Sequence, residues 1–195
     1  MIKRELQIFL TAMMFFTRIP CPKWVDHHPV FLKKSSKYFA LVGAIVGGIG
    51  ALVFLAASYV FNTQISLLIS MFATIYTTGA FHEDGFADVC DAFGGGWTKE
   101  KILLIMKDSR LGTYGVTGLI LILALKFLAL QSIPSHDIAL TILCGHTLSR
   151  FIATTLIYTH KYVRDTEDSK AKPAAKSMTL AALILSGLFG IVLRL

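Results

Sequence analysis

Charged residues are scarce in this sequence, and cysteine is scarcer still. Of the 195 residues, 16 % are charged and 54 % are hydrophobic, whereas about 25 % of a typical soluble domain is charged. This composition excludes a soluble globule and a disordered chain. The three cysteines, Cys21, Cys90 and Cys144, form no CxxC pair, so neither a zinc ribbon nor a disulfide framework is indicated. The net charge of +7 comes without a basic–aromatic stripe, and no nucleic-acid partner is predicted.

Charge and histidine are absent altogether from residues 39–81. About 20 helical residues cross the hydrocarbon core of a bilayer, so these 43 residues predict two spans joined by a polar turn at 62–64. The spans predicted for the whole chain lie at about 39–61, 65–81, 116–133, 138–158 and 178–195. The stretch Leu6–Phe16 is apolar but short, which predicts an interfacial or re-entrant helix. The predicted fold class is all-α, a polytopic integral membrane helical bundle of about five spans that forms one domain over 1–195.

Lys and Arg are distributed unevenly between the predicted loops. Segments 1–38, 82–115 and 159–177 hold seven, four and five of them, whereas the loops 62–64 and 134–137 hold none. Because loops rich in Lys and Arg stay in the cytoplasm, the first three segments are predicted to be cytoplasmic. We therefore expect a multi-pass protein of the cytoplasmic (inner) membrane, with its N-terminus inside and its C-terminus outside.

Acidic residues cluster directly after the second predicted span. Asp84, Asp88 and Asp91 follow an i, i+4, i+7 spacing, which places them within about 60° of one another on a helix. Carboxylates beside a membrane span favour a Mg²⁺ site over a merely solvated acidic face. Glu83 points about 100° away from Asp84 and is interpreted as a further metal ligand, a general base or a helix N-terminal charge. His82 is expected to be a hydrogen-bonding neighbour.

The segment Lys107–Gly115, just before the third predicted span, combines cations, hydroxyls and glycines. Arg110 can fork onto phosphate oxygens, and glycine lets backbone amides approach an anion. Asp108 is interpreted as either a metal ligand or the residue that orients Arg110. The alternative is ordinary positive-inside loop charge. The candidate phosphate-binding residues of this segment are Lys107, Ser109, Arg110, Gly112, Thr113 and Tyr114.

Three polar residues fall within the later predicted spans. His146 and Arg150 lie four residues apart, on one helix face, and are predicted to line a polar interior. Contact with a bound phosphate and a purely structural pairing both stay open for them. Lys126 is expected to snorkel or to pair within the bundle.

The segments His82–Asp91 (HEDGFADVCD) and Ile105–Gly115 (IMKDSRLGTYG) together resemble the cobalamin synthase family, the adenosylcobinamide-GDP ribazoletransferases. Residues 18–22 and 38–43 also fit, and the resemblance runs from about Leu6 to about Tyr162. Relatives usually carry further C-terminal membrane sequence, so the chain is expected to be C-terminally incomplete relative to the family.

The resemblance implies a Mg²⁺-dependent transferase of cobalamin biosynthesis. A ribose hydroxyl of α-ribazole, or of its 5′-phosphate, attacks adenosylcobinamide-GDP, and GMP leaves. The expected partners are these substrates and the lipid bilayer. A homo-oligomer, or a complex with other enzymes of cobalamin assembly, is a further expectation. The candidate metal ligands are Glu83, Asp84, Asp88 and Asp91. The candidate catalytic residues are Glu83, Asp84, Lys107, Asp108 and Arg110, with Glu83 and Asp108 as the candidate bases.

Two other functions compete with this prediction. The sequence around Asp84 weakly resembles the metal motif of CDP-alcohol phosphotransferases, but Asp88 stands where that motif has Arg, and Asp91 follows too soon. A cation transporter is less favoured, because its ion site is expected near the bilayer midplane and not at one end of the spans.

Overall fold

The computed structural model describes residues 2–25, 28–163 and 178–191, and all regular structure in these ranges is helical. The all-α prediction is confirmed. A 3₁₀ turn at Ser36–Tyr38 links the second and third helices. The α-helices of the described ranges are α1 (Ile2–Phe16), α2 (Pro29–Ser35), α3 (Phe39–Ser58), α4 (Thr63–Thr78), α5 (Phe81–Gly95), α6 (Lys99–Ile105), α7 (Thr113–Gln131), α8 (Ser135–Thr159) and α9 (Leu180–Ile191).

Three helical segments are each long and apolar enough to cross a membrane: the run Pro29–Ser58, α7 and α8. A fourth crossing is formed if α4 and α5 count as one broken span, because together they pass the same test. The described ranges therefore contain three or four spans where the sequence predicts about five, and the predicted number stays unconfirmed. The predicted span 178–195 is represented by α9, a shorter apolar helix, and residues 164–177 of the predicted loop 159–177 lie outside the described residues.

Glycines on α3 bring this helix into close contact with α8 and α4. A Cβ atom added at Gly43 would lie 2.5 Å from the carbonyl oxygen of His146, and one at Gly47 would lie 3.0 Å from Cα of Leu143. One turn further on, the hydroxyl of Ser70 donates to the carbonyl of Gly50 at 2.7 Å. Small residues at such spacing let helix backbones approach each other in lipid. This close packing makes α3 the central helix of the bundle.

The break between α4 and α5 changes the predicted span 65–81. Gly79 and Ala80 have φ values of 64° and 58°, and α5 leaves at 87° to α4. A left-handed conformation ends a helix, and it is strained for a residue with a Cβ such as Ala80. The backbone N–H of Arg18 donates to the carbonyl of Thr77 at 2.7 Å, and the Arg18 side chain packs on Gly79. Helix α4 thus ends at Thr78, before the end of the predicted span, and α5 continues at nearly a right angle to it.

The predicted N-terminal helix is present as α1. It buries Ile8, Ala12, Met13 and Phe16, and the Phe16 ring stacks on Phe39 of α3 with centroids 4.3 Å apart. Its membrane depth stays a prediction.

Candidate active site between α5 and α7

Helix α5 packs against the first half of α7 through the side chain of Asp91. The Asp91 carboxylate accepts a hydrogen bond from the backbone N–H of Gly112 at 2.7 Å and another from Gly115 at 2.8 Å. A Cβ atom at either glycine would collide with this carboxylate. The glycine amides of Lys107–Gly115 therefore bind an anion, as their composition predicts, but in this structure the anion is the carboxylate of Asp91. The Gly112 amide, predicted to bind phosphate, is already used.

The role of Asp91 differs from that of the other two aspartates of the predicted metal site. Its carboxylate satisfies free N–H groups in the first turn of α7 and interacts favourably with the positive end of that helix. Asp84 is exposed and Asp88 is half-buried on α5. Within the described ranges, no group of three His, Cys, Asp or Glu side chains is arranged to hold a metal ion.

The residues present still fit a magnesium ion that a substrate helps to hold. Mg²⁺ is usually bound by one or two carboxylates together with water and substrate phosphates. Asp84 and Asp88 are one helical turn apart and share a face of α5, and Asp88 lines a cavity of about 870 Å³. These two carboxylates are the residues that would hold the ion, and its presence stays a prediction.

This cavity, here named the α5–α6 cavity, lies between α5, α6 and the residues that follow α8. Asp88 lines it together with the cations Lys99 and Lys161 and the aromatic residues Phe93 and Tyr162. The rest of the lining is mostly apolar and includes Ile102, Leu103, Met106 and Val163. Lys99 and Lys161 were not among the candidate site residues, because in sequence they look like ordinary positive loop charge.

Arg110 and Asp108 form a bidentate ion pair before α7. The Arg110 guanidinium donates from Nη2 to Oδ2 of Asp108 at 2.6 Å and from Nε to Oδ1 at 3.0 Å. These hydrogen bonds hold the pKa of Asp108 below its ordinary value. Of the two roles predicted for Asp108, the structure shows the contact that orients Arg110. The Arg110 side chain is 87 % exposed, so a phosphate can reach its guanidinium group. Lys107, Ser109 and Thr113 are exposed as well.

Tyr114 lies across the end of α5. A Cβ atom at Gly94 would lie 2.6 Å from Cδ2 of the Tyr114 ring, so only glycine leaves room for it. Tyr114 as a whole is 59 % exposed. Gly94 thus allows the close contact between α5 and α7.

Glu83 is directed into the bundle, away from its neighbour Asp84. Its Oε2 atom is buried and has no hydrogen-bond partner among the described residues. It interacts electrostatically with Lys126 of α7 and Arg150 of α8. His146 of α8 belongs to the same interior group and is 8 % exposed. The structure therefore separates Glu83 from the exposed carboxylates and places it near two cations.

A second cavity, here named the bundle cavity, lies between α4, α7 and α8 and has a volume of about 420 Å³. Lys126, His146 and Arg150 line it together. His146 and Arg150 lie in the interior, as their spacing predicts. Lys126 was expected only to snorkel or pair, although an isolated cation in an apolar span is itself a signal of function.

The fold defines the class: a helical membrane protein whose carboxylates and cations gather at α5, at the segment before α7 and in the bundle interior. Residues 8–195 match the family described as Cobalamin-5-phosphate synthase, and the chain belongs to this family. The resemblance drawn from the two motifs is confirmed.

Curated relatives support the same assignment. A protein of Shewanella frigidimarina is 50 % identical over 194 residues, which cover 95 % of this chain and 74 % of the relative. One of Shewanella amazonensis is 49 % identical over 181 residues, covering 90 % and 69 %, and one of Shewanella pealeana is 43 % identical over 197 residues, covering 98 % and 76 %. All three are named adenosylcobinamide-GDP ribazoletransferase. No solved structure matches the chain significantly.

Proposed function

We propose that this chain transfers ribazole to adenosylcobinamide-GDP in a Mg²⁺-dependent reaction at the α5–α6 cavity. The reaction itself follows from the family, whose members are named for this step in the assembly of the cobalamin nucleotide loop. The same membership sets aside a CDP-alcohol phosphotransferase and a cation transporter. We further propose the metal, the location of the site and the roles of individual residues from the contacts in the structure.

The α5–α6 cavity is the observation that carries the proposed location. A displacement at a pyrophosphate needs neutralised oxygens and a stabilised leaving group. Here Asp88 shares a cavity of about 870 Å³ with Lys99 and Lys161, so a carboxylate for a cation and two cations for phosphate line the same cavity. The aromatic and apolar residues of this cavity provide contacts for the uncharged parts of the donor.

Each group of this chain has one proposed task in the reaction. Asp84 and Asp88 hold the ion, which when bound would neutralise phosphate oxygens and stabilise the departing GMP. The Arg110 guanidinium moves its paired hydrogen bonds from the Asp108 carboxylate to phosphate oxygens of the donor. This is possible because both side chains are open to solvent. Lys107 adds a point charge beside it. The hydroxyl of the acceptor forms the new bond to the cobinamide-linked phosphorus as the bond to GMP breaks.

The proton of the attacking hydroxyl needs an acceptor. Asp108 is open to solvent, and solvation weakens a carboxylate as a base, whereas Oε2 of Glu83 is buried and has no hydrogen-bond partner among the described residues. We therefore assign the base to Glu83.

The site is proposed to face the cytoplasm from the inner membrane. Segment 82–115 contains four Lys or Arg residues, and the loops at the other ends of the spans contain none. Association with a second copy or with other enzymes of the same assembly is a further expectation, which co-purification from membranes would test.

The test of the proposed site is metal-dependent turnover by the reconstituted chain. With adenosylcobinamide-GDP, α-ribazole and Mg²⁺, we expect a cobalamin product by mass, loss of turnover in EDTA and partial support by Mn²⁺. Asp84→Asn and Asp88→Asn should each lower turnover by orders of magnitude and raise the Mg²⁺ requirement of the remaining activity. Glu100→Gln, which removes an exposed acid of α6, is the matched control. Normal turnover by both Asn variants with unchanged metal dependence would contradict the proposed site.

A further inference from the structure

The bundle cavity has a charged end, where Lys126 and Arg150 lie within the helical bundle. Lys126 and Arg150 each interact electrostatically with Glu83, but neither cation forms an ion pair with it at 4.0 Å or less within the described ranges. Two cations and one carboxylate leave one positive charge without a counter-ion. A buried charge in an apolar environment is costly unless it is paired. The cavity therefore suits an anion.

Hydrogen-bonding capacity at this end is also unused. The Nδ1 atom of His146 is buried and has no partner among the described residues, and the whole residue is 8 % exposed. Arg150 donates from Nη1 to Oγ of Ser149 at 3.0 Å, which leaves other N–H groups of its five for a ligand. Buried polar groups normally have a partner, so these groups indicate an absent polar ligand.

The other end of the same cavity is apolar. It is formed by Met71 of α4, by Ala129 and Leu130 of α7, and by Ile133 and Ile142. A pocket with an apolar wall and a few convergent polar groups is typical of small-molecule sites, which span about 300–1,000 Å³. The volume of about 420 Å³ lies within this range. The ligand that fits both ends is a small molecule with an anionic group and an apolar body.

We infer that the bundle cavity binds a phosphate monoester with an apolar, aromatic body, the phosphate at Lys126 and Arg150 and the body against α4 and α7. This inference rests on the proposed function only in naming the ligand: the phosphorylated form of the ribazole acceptor belongs to this class. The two cations that line this cavity, Lys126 and Arg150, are also the ones that interact with Glu83. The acceptor then approaches the proposed base from within the bundle.

Gly145 offers a direct way to block this cavity. It lines the cavity, and a Cβ atom added there would meet nothing within 4 Å. The Cβ atom of Gly145→Leu therefore enters open space, the rest of the side chain takes up cavity volume, and leucine favours the helix more than glycine does. Gly48 of α3 is equally open but does not line the cavity, so Gly48→Leu adds the same side chain elsewhere as a matched control.

Binding to the purified full chain in detergent, measured by titration calorimetry, tests the inference. We expect α-ribazole 5′-phosphate to bind more tightly than α-ribazole or inorganic phosphate. Lys126→Met and Arg150→Met should weaken binding of the phosphorylated probe by roughly 10- to 100-fold, the usual loss for a hydrogen bond to a charged group, and should affect α-ribazole little. Gly145→Leu should weaken binding of both nucleoside probes at least tenfold. Gly48→Leu and Lys101→Met, which removes an exposed cation of α6, should bind both as the unaltered chain does.

Several results would overturn the inference. Unchanged binding of the phosphorylated probe by Gly145→Leu would show that the ligand does not enter this cavity, and this variant does not depend on removing an interior charge. Displacement of the probe by phosphatidic acid in mixed micelles, lost in Gly145→Leu but not in Gly48→Leu, would identify the occupant as a lipid headgroup. Binding of inorganic phosphate as tightly as the nucleotide would refute the role of the apolar end.

Failure of the proposed function would look different. The probe would then bind with the predicted dependence on Lys126, Arg150 and Gly145, while the unaltered chain formed no cobalamin product. Conversely, normal product formation by Gly145→Leu with an unchanged KM for the acceptor would refute the cavity assignment and leave the function intact.

Discussion

Replacement of Asp91 by Asn tests whether this carboxylate holds α7 in place. The native side chain accepts hydrogen bonds from the amides of Gly112 and Gly115, at 2.7 and 2.8 Å. Asn has the same shape but only one acceptor oxygen, and its NH₂ group would point a second donor at a donor. The variant therefore loses one of the two bonds and the negative charge at the N-terminus of α7.

The magnitude follows from the contacts that are lost. A hydrogen bond to a charged group contributes about 1.5–3 kcal/mol, and a carboxylate at a helix N-terminus adds about 0.3–1 kcal/mol. The expected loss is therefore about 2–4 kcal/mol. Relief of like-charge repulsion with Asp88, one turn away, returns only about 0.2–0.5 kcal/mol. From spacing alone, removing any one carboxylate of the acidic cluster is expected to relieve strain, but the structure reverses this expectation for Asp91.

Hydrogen exchange of the backbone amides in the first turn of α7, together with thermal unfolding in detergent, would measure the effect. At tenfold per 1.4 kcal/mol, exchange of the Gly112 and Gly115 amides should quicken by roughly 30- to 700-fold. Asp84→Asn is the control, because Asp84 is exposed and should leave exchange at α7 unchanged. Equal exchange rates and equal melting temperatures in the Asp91→Asn variant and the unaltered chain would refute the argument.

Three further predictions concern other parts of the chain. Arg110→Lys should lose most activity and raise the KM for the donor, because a guanidinium that donates two parallel hydrogen bonds becomes a point charge. Near-normal steady-state kinetics would mean that Arg110 is only one of the positive loop charges that orient the protein in the membrane. Gly79→Ala should lower the free energy of unfolding by about 1–2 kcal/mol from the left-handed backbone alone, since φ is 64° there. Thermal unfolding would show this as a lower melting temperature, and an unchanged melting curve would count against strain at this bend. In a cysteine-free background, an impermeant thiol reagent added to intact cells should label cysteine at Thr63 and not at Lys99; the opposite labelling would reverse the proposed orientation.

The sequence by itself determined the class of fold and the family. Low charge and long apolar runs require helices in a membrane, because only helices and closed barrels satisfy the backbone in lipid. The polar turn at 62–64 marked a helix start, and the Asn62 side chain does accept the N–H of Ile65. The motifs at 82–91 and 105–115 identified the family. These features depend on near neighbours in the chain, which a sequence displays directly.

Only the tertiary structure decided what individual polar groups contact. Periodicity grouped Asp91 with Asp84 and Asp88, but it could not show that the Gly112 amide, 21 residues further on, reaches the Asp91 carboxylate. Nor could it show that the break at Gly79 turns α5 by 87° and directs Glu83 towards cations on two later helices. Helical spacing determines which side chains share a face. What lies opposite that face depends on how distant segments pack, and that packing also decides whether a carboxylate holds a metal, caps a helix or balances a buried charge.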